Sequence, residues 1–273
     1  VTAAEFDFGP QPGDKFVFAD ALAQECFEKA KLGYKRLRDV QADELAGITL
    51  AHPLRGLADG YQFDVPVLDG DHVTDEAGTG FVHTAPSHGR DDFEIWMAKA
   101  NLIQAQGIDT TIPFTLDDQG FYTDEAPGFG PESEGGAARV IDHKGKKGDA
   151  NKRVIAALIE KNNLFSRGRL KHEYPHSWRS KKPIIFRNTP QWFVYMDKED
   201  VVGGKNSNMG TLRQTALAAI DETRFVPTAG QNRLRGMIEQ RPDWVLSRQR
   251  AWGVPISVFR HEETGQIIPG PEF

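Results

Sequence analysis

GTGFVHTAPSHGRDDF, residues 78–93, is the stretch on which the fold turns. Gly78 and Gly80 flank Thr79 and permit tight backbone approach, because a residue without Cβ reaches conformations closed to others. FVHT (81–84) is β-rich and Pro86 would stop a strand there. Asp91 and Asp92 then stand where acids suit the first turn of a helix, and Phe93, Trp96 and Met97 share one helical face. A strand-loop-helix junction of this kind gathers His83, Thr84, Ser87, Asp91 and Asp92 around backbone amides, the material of a small-molecule site. The same residues also suit a satisfied core histidine and two capping aspartates.

Working outward, residues 19–32 carry Leu22, Cys26, Phe27 and Ala30 at helical spacing, with Gly33 as a terminator. Residues 48–83 read as short strands: FDVPVL (63–68) alternates, while LDGD (68–71) and EAGTG (76–80) are turn material. Residues 105–150 are loop-rich, with a hairpin expected at DDQG (117–120) and a polar GPESEGG tract (130–136). A helix over 149–162 follows, with Val154, Ile155, Leu158 and Ile159 inward. Strands return over 184–196, helices over 210–222 and 230–239, and strands again at WVLS (244–247) and PISVF (255–259). No repeating βαβ pattern supports a doubly wound sheet, so the expected class is α+β. The division falls near residue 165: a strand-rich unit with flanking helices over 1–165, then a mixed strand and helix segment over 166–273.

Composition narrows the function classes. The 273 residues are 39% hydrophobic before glycine is counted, with mean hydropathy −0.50. Disorder and collagen-like repeats are excluded, and no apolar run nears the ~18 residues of a membrane span. Cys26 is the single cysteine, so no intramolecular disulfide and no multi-cysteine zinc site can form. A reducing, cytoplasmic setting is expected, as is a chain cut from a longer protein, given the amino-terminal VTAAEFDFG. Residues 1–150 hold 27 acids and 13 bases, whereas 151–273 hold 12 acids and 20 bases. From Lys144 to Arg187 there are 13 bases and only three acids. That asymmetry suits either a polyanion partner or a solvated face with a basic loop.

Several motifs are weighed and set aside. HEYPH (172–176) matches a zinc-protease pattern in form, but Pro175 would break the helix that must carry both histidines on one face. Tyr174, the residue before that proline, is pushed toward extended geometry. GTGFVH lacks the third glycine of a dinucleotide fingerprint, and no GxxxxGK[ST] occurs. Cys26 reads as core rather than nucleophile. Trp178, Trp192, Trp244 and Trp252 interleave with Arg179, Arg187, Arg248 and Arg250, a mixture that stacks nucleotides or simply fills a core.

GTGFVHTAPSHGRDDF (78–93), YPHSWRSKKPIIFRNTPQWFV (174–194) and RPDWVLSRQRAWGVPISVF (241–259), in that order, resemble the bacterial isoleucyl-tRNA synthetase family. The match covers its editing insertion and the segment returning toward the synthetic domain. It implies a barrel-like editing core over 1–165, with its amino-terminal part missing. The return segment over 166–273 would lead toward a Rossmann-like domain. The implied activity is hydrolysis of valine mischarged on isoleucine tRNA, because a single methylene is worth only about 1–3 kcal/mol to a synthetic site. On this resemblance Asp92 holds the substrate ammonium and His83 lines the side-chain pocket as a size gate. Gly78, Thr79, Gly80, Thr84, Ser87 and Asp91 contribute to the substrate site. No metal and no cofactor are expected in this stretch, although the whole ligase would use ATP and magnesium. The expected partners are isoleucine tRNA carrying valine and the remainder of the synthetase, with no membrane.

The sequence departs from the family pattern in three places. A threonine-rich TTTPWT segment, which supplies another pocket wall, does not occur here, nor do the ATP-site signatures His-Ile-Gly-His and Lys-Met-Ser-Lys-Ser. Some relatives carry a zinc-binding cysteine where this chain has Ser177. Two rivals remain: a tRNA-docking module without catalysis, and a free-standing deacylase, which the 241–259 segment disfavours.

Overall fold

The computed structural model describes residues 1–2, 8–169, 171, 173–199, 210–248, 253, 255–256 and 258–268. Two compact units divide at Asn188 and Thr189. The division follows the 174–188 segment rather than falling near 165, because that segment bonds back to the first unit. Asn188 N donates to Ser87 O at 2.8 Å, and Lys182 Nζ donates to His143 O at 2.7 Å.

In the first unit, α1 spans Asp20–Ala30 with Leu22, Phe27 and Ala30 buried. Lys31, not Gly33, takes the left-handed closing position at φ 56°, and Leu32 N reaches Phe27 O at 2.9 Å. Phe27 stacks on Tyr34 at 4.4 Å between centroids and meets Phe165 edge-on at 5.5 Å, so this helix carries an aromatic core of its own. The short helix α2 (Ala42–Leu45) leads into β1 (Thr49–Ala51), which pairs antiparallel with β2 (Asp64–Pro66). The expected strand at 81–84 does not form: Phe81, Val82 and His83 are exposed and join no sheet. Then come α3 (Arg90–Ala98), α4 (Ala100–Ala105) and α5 (Ala150–Glu160).

The main core gathers Leu54, Ala126, Phe129, Ala138, Ala150 and Ala157, with Tyr61, Tyr122, Val154 and Leu158 packed on it. Ala150, Val154, Ala157 and Leu158 lie at helical spacing, which explains why one face of α5 is buried. Small alanines at the contact let the 126–138 loop approach the helix closely. Arg153 holds that loop from the same helix: its guanidinium donates to Gly136 O at 2.6 Å and to Ser133 Oγ at 2.7 Å. The hairpin expected at 117–120 is present, with a Leu116–Tyr122 bridge closed by Phe121 N on Asp117 Oδ1 at 2.8 Å.

In the second unit, α6 (Leu212–Glu222) packs on α7 (Ala229–Glu239). Thr211 and Gln214 form a reciprocal cap on α6, Gln214 N donating to Thr211 Oγ1 at 3.2 Å and Thr211 N to Gln214 Oε1 at 3.0 Å. β3 (Phe193–Val194) pairs with β4 (Trp244–Val245), and β5 (Phe259–Arg260) with β6 (Ile267–Ile268). Most of the expected 184–196 strand is in no sheet, since only Phe193 and Val194 pair with another strand. Among the described residues no helix is long and apolar enough to cross a membrane.

Candidate functional site

The 78–92 segment forms two anchored turns and a helix start. Thr79 O accepts from Ala19 N at 2.9 Å, and the Cys26 thiol donates to Gly78 O at 2.9 Å, so the GTG turn docks on the first turns of α1. Gly80 has φ +82°, and a Cβ there would lie 2.5 Å from Ala19 Cβ. Only glycine satisfies both the angle and the approach. Thr79 Oγ1 accepts from Phe81 N at 3.2 Å and donates to Phe81 O at 3.0 Å, turning the chain outward. Gly78, Thr79 and Gly80 therefore bind the protein's own helix. Cys26 is half-buried and serves as a link between the two segments.

The second turn runs from Ala85 to Gly89. His88 N and Gly89 N both donate to Ala85 O at 2.9 Å. Gly89 caps α3, which places Asp92 in the helix's first turn, where a carboxylate is favoured by the exposed amides and the helix dipole. Asp92 Oδ2 accepts from Ala85 N at 3.1 Å. Asp92 is half-buried and Asp91 exposed. Ser87 is buried, and its backbone carbonyl accepts from Asn188 N. Thr84 is half-buried. The structure thus joins Ala85, Ser87, Gly89 and Asp92 in one bonded turn, while the GTG turn is tied to α1.

His83, just before this turn, is exposed and lies within electrostatic range of His52. His52 stacks on Tyr61 at 4.6 Å and leans on Phe63 at 5.1 Å, with its Nδ1 accepting from Leu54 N at 3.1 Å. Burial first, then the charges of His83 and Arg55, hold the His52 imidazole below its ordinary value of 6.5. Sequence reasoning passed over His52, and also His88, whose ring bonds on both sides: Nδ1 with Phe186 O at 2.7 Å and Nε2 with Thr115 Oγ1 at 2.9 Å. Both partners are distant in sequence, so no local pattern announces them.

Two open concavities lie elsewhere, one of about 510 Å³ beside Phe121, Tyr122 and Asp124, the other of about 420 Å³ beside Arg224 and Pro227. Neither includes His83 or Asp92. Of the 13 bases from Lys144 to Arg187, ten are exposed. The remaining three, Arg153, Lys161 and Arg187, donate to backbone carbonyls of the first unit. Trp178 is 78% exposed, with the Arg179 guanidinium 5.3 Å from its ring centre. The HEYPH motif is only partly in view, His172 lying outside the described residues. From Glu173 to Pro175 the chain is not helical, and His176 forms a bridge with Pro183. Among the described residues no group of three or more His, Cys, Asp or Glu side chains could hold a metal ion.

The comparison with known proteins agrees with the motifs. Residues 18–272 match the family described as tRNA synthetases class I (I, L, M and V), and the chain belongs to that family. Within it, the chain is similar to isoleucine–tRNA ligases: 68% identical over 271 residues to that of Brucella melitensis, covering 98% of this chain. It is 67% identical over 268 residues to that of Agrobacterium fabrum, covering 98% of this chain, and 65% identical over 263 to that of Bartonella henselae, covering 96%. The chain spans about a quarter of the length of these relatives, 27%, 27% and 26% in turn.

Proposed function

We propose that this chain is the editing portion of an isoleucine–tRNA ligase, hydrolysing valine from mischarged isoleucine tRNA in the cytoplasm. The observation that carries the reading is the placement of Asp92. Its carboxylate is half-buried in the first turn of α3, with Oδ2 held by the Ala85 amide. Oδ1 has no hydrogen-bond partner among the described residues, which leaves it for the ammonium of an esterified amino acid. A charge-assisted contact of that kind is worth ~1.5–3 kcal/mol. His83, on the exposed stretch before the turn, is the steric gate that admits valine and bars isoleucine. Thr84, Ser87 and Asp91 complete the wall on that side, and the Gly78–Gly80 turn closes the other.

The chemistry needs no covalent intermediate. A water oxygen bonds to the ester carbonyl carbon, the ester C–O bond breaks, and the ribose oxygen takes the proton as valine leaves. Positioning supplies most of the acceleration: an ammonium fixed on Asp92 orients the carbonyl, and a neighbouring ribose hydroxyl holds the water. The ten exposed bases offer phosphate contacts for the acceptor end of the tRNA. The barrel-like core belongs to the same proposal, with the threonine-rich wall on the remainder of the ligase. The ATP-site signatures are outside this sequence, so adenylation, with its ATP and magnesium, is proposed for the remainder of the ligase.

A second reading has one observation in its favour. His83 is exposed, which suits a module that docks tRNA without hydrolysing the ester. The test is to supply valyl-tRNA and isoleucyl-tRNA to the ligase containing this sequence and to its His83→Ala form. Editing predicts valyl-tRNA hydrolysis by the first and new attack on isoleucyl-tRNA by the second. Tight tRNA binding with no ester loss in either would establish the docking reading.

A further inference from the structure

The His88 imidazole is bound on opposite edges, by Phe186 O at 2.7 Å and by Thr115 Oγ1 at 2.9 Å. A carbonyl oxygen only accepts, so Nδ1 carries the proton, and in the neutral ring Nε2 accepts from the Thr115 hydroxyl. Thr115 is itself held, because its carbonyl accepts from Thr123 N at 3.0 Å. Beside the ring, Ser87 O accepts from Asn188 N at 2.8 Å, and Asn188 Nδ2 donates to Pro113 O at 3.2 Å. The Ala85–Gly89 turn is therefore clamped between two distant segments, 113–115 and 186–188. Ala85, which opens the turn, presents the amide that holds Asp92 Oδ2.

We propose that His88 is a positioning residue: by fixing the Ala85–Gly89 turn against Thr115 and Phe186, it sets the direction in which the Asp92 carboxylate points. Only a ring with nitrogens on opposite edges spans both anchors. Asparagine reproduces the Nδ1 donor alone, and glutamine reproduces the reach of Nε2 alone. The catalytic consequence rests on the ammonium-binding role proposed for Asp92, whereas the structural link from His88 to Ala85 and Asp92 does not.

Hydrogen exchange of the Ala85 amide in the 273-residue chain tests that link directly, with Asp92→Ala as the reference for a lost bond. His88→Ala should speed exchange at Ala85 by roughly tenfold, a typical consequence of losing a hydrogen bond of ordinary strength. His88→Asn and Thr115→Val should fall between that variant and the unsubstituted chain, with Ala157 and Leu158 in α5 unchanged. Unaltered protection of Ala85 in all three variants overturns the proposal. If His88→Ala loses protection in α5 as well, His88→Asn and Thr115→Val decide by the same criterion. In valyl-tRNA hydrolysis by the ligase, adding His88→Ala to Asp92→Ala should cause no further loss, since both act through one carboxylate. Multiplying losses would overturn the link between His88 and Asp92. Unchanged hydrolysis in Asp92→Ala alone would overturn the editing reading and leave the exchange measurement to decide the positioning claim.

Discussion

The Asp92 carboxylate lies against the α-carbon of Gly89, so closely that a Cβ there would sit 2.3 Å from Oδ2 and 2.9 Å from Cγ. Gly89 has φ −113°, an angle open to any residue, so what a side chain there would meet is the Asp92 carboxylate and not a backbone constraint. The contact lets Oδ2 reach back to the Ala85 amide across the turn.

Gly89→Ala should therefore act through Asp92. The carboxylate can swing aside at little steric cost, but it gives up the Ala85 bond, worth about 1 kcal/mol. The expected result is a thermal midpoint lowered by about 2–4 °C. Calorimetry of the substituted and unsubstituted chains checks this, and an unchanged midpoint would show that a Cβ at Gly89 does not cost the Asp92–Ala85 bond.

The two glycines of the GTG turn should differ. Both have left-handed φ, +73° at Gly78 and +82° at Gly80, so alanine costs ~1–2 kcal/mol of backbone strain at either. Nothing lies within 4 Å of a Cβ on Gly78, whereas one on Gly80 would meet Ala19 Cβ at 2.5 Å and Ala19 N at 3.1 Å. Neither obstacle is the end of a flexible side chain. Gly80→Ala should be more destabilising than Gly78→Ala by a further ~1–3 kcal/mol of overpacking, read from denaturant midpoints. Equal costs would mean that the turn does not press on α1.

The parts that local pattern announces are the helices. α5 follows from apolar spacing and α3 from Asp91 and Asp92 ahead of an amphipathic run, while the reciprocal cap of Thr211 and Gln214 on α6 is seen in the structure. α4 is hidden because Lys99, at φ −97° and ψ 5°, interrupts what otherwise reads as one helix. FVHT has the composition of a strand, yet a strand also needs a pairing edge, and Phe81 and Val82 face solvent instead. In the 78–92 segment, glycine and aspartate type marked where the chain turns and where α3 begins. What sequence could not supply was their partners: Cys26 for Gly78, Thr115 and Phe186 for His88, and Asn188 for Ser87. These contacts span 27 to 101 residues, beyond any helical or strand period.

His52 should make stability depend on pH. Its folded pKa lies below the unfolded 6.5, chiefly through burial, so the unfolded chain binds the proton first as pH falls. The His52 contribution is full above 6.5 and declines as pH drops from there toward the folded value. Protonating Nδ1 also breaks the bond from Leu54 N. Denaturant unfolding between pH 7.5 and 5 should show stability falling with acidification, and His52→Gln should flatten that slope. A slope unaffected by the substitution would remove His52 as its source.

Asp92→Asn separates charge from shape in the ammonium contact proposed for Asp92. The amide retains an oxygen that can accept from Ala85 N, but it loses the negative charge. The decisive measurement is the rate of valyl-tRNA hydrolysis by the ligase carrying Asp92→Asn, made alongside Ala85 amide exchange to verify the turn. With the turn intact, loss of a charge-assisted contact predicts hydrolysis slower by roughly 10- to 150-fold. Hydrolysis at the unsubstituted rate, with Ala85 still protected, would contradict the assignment.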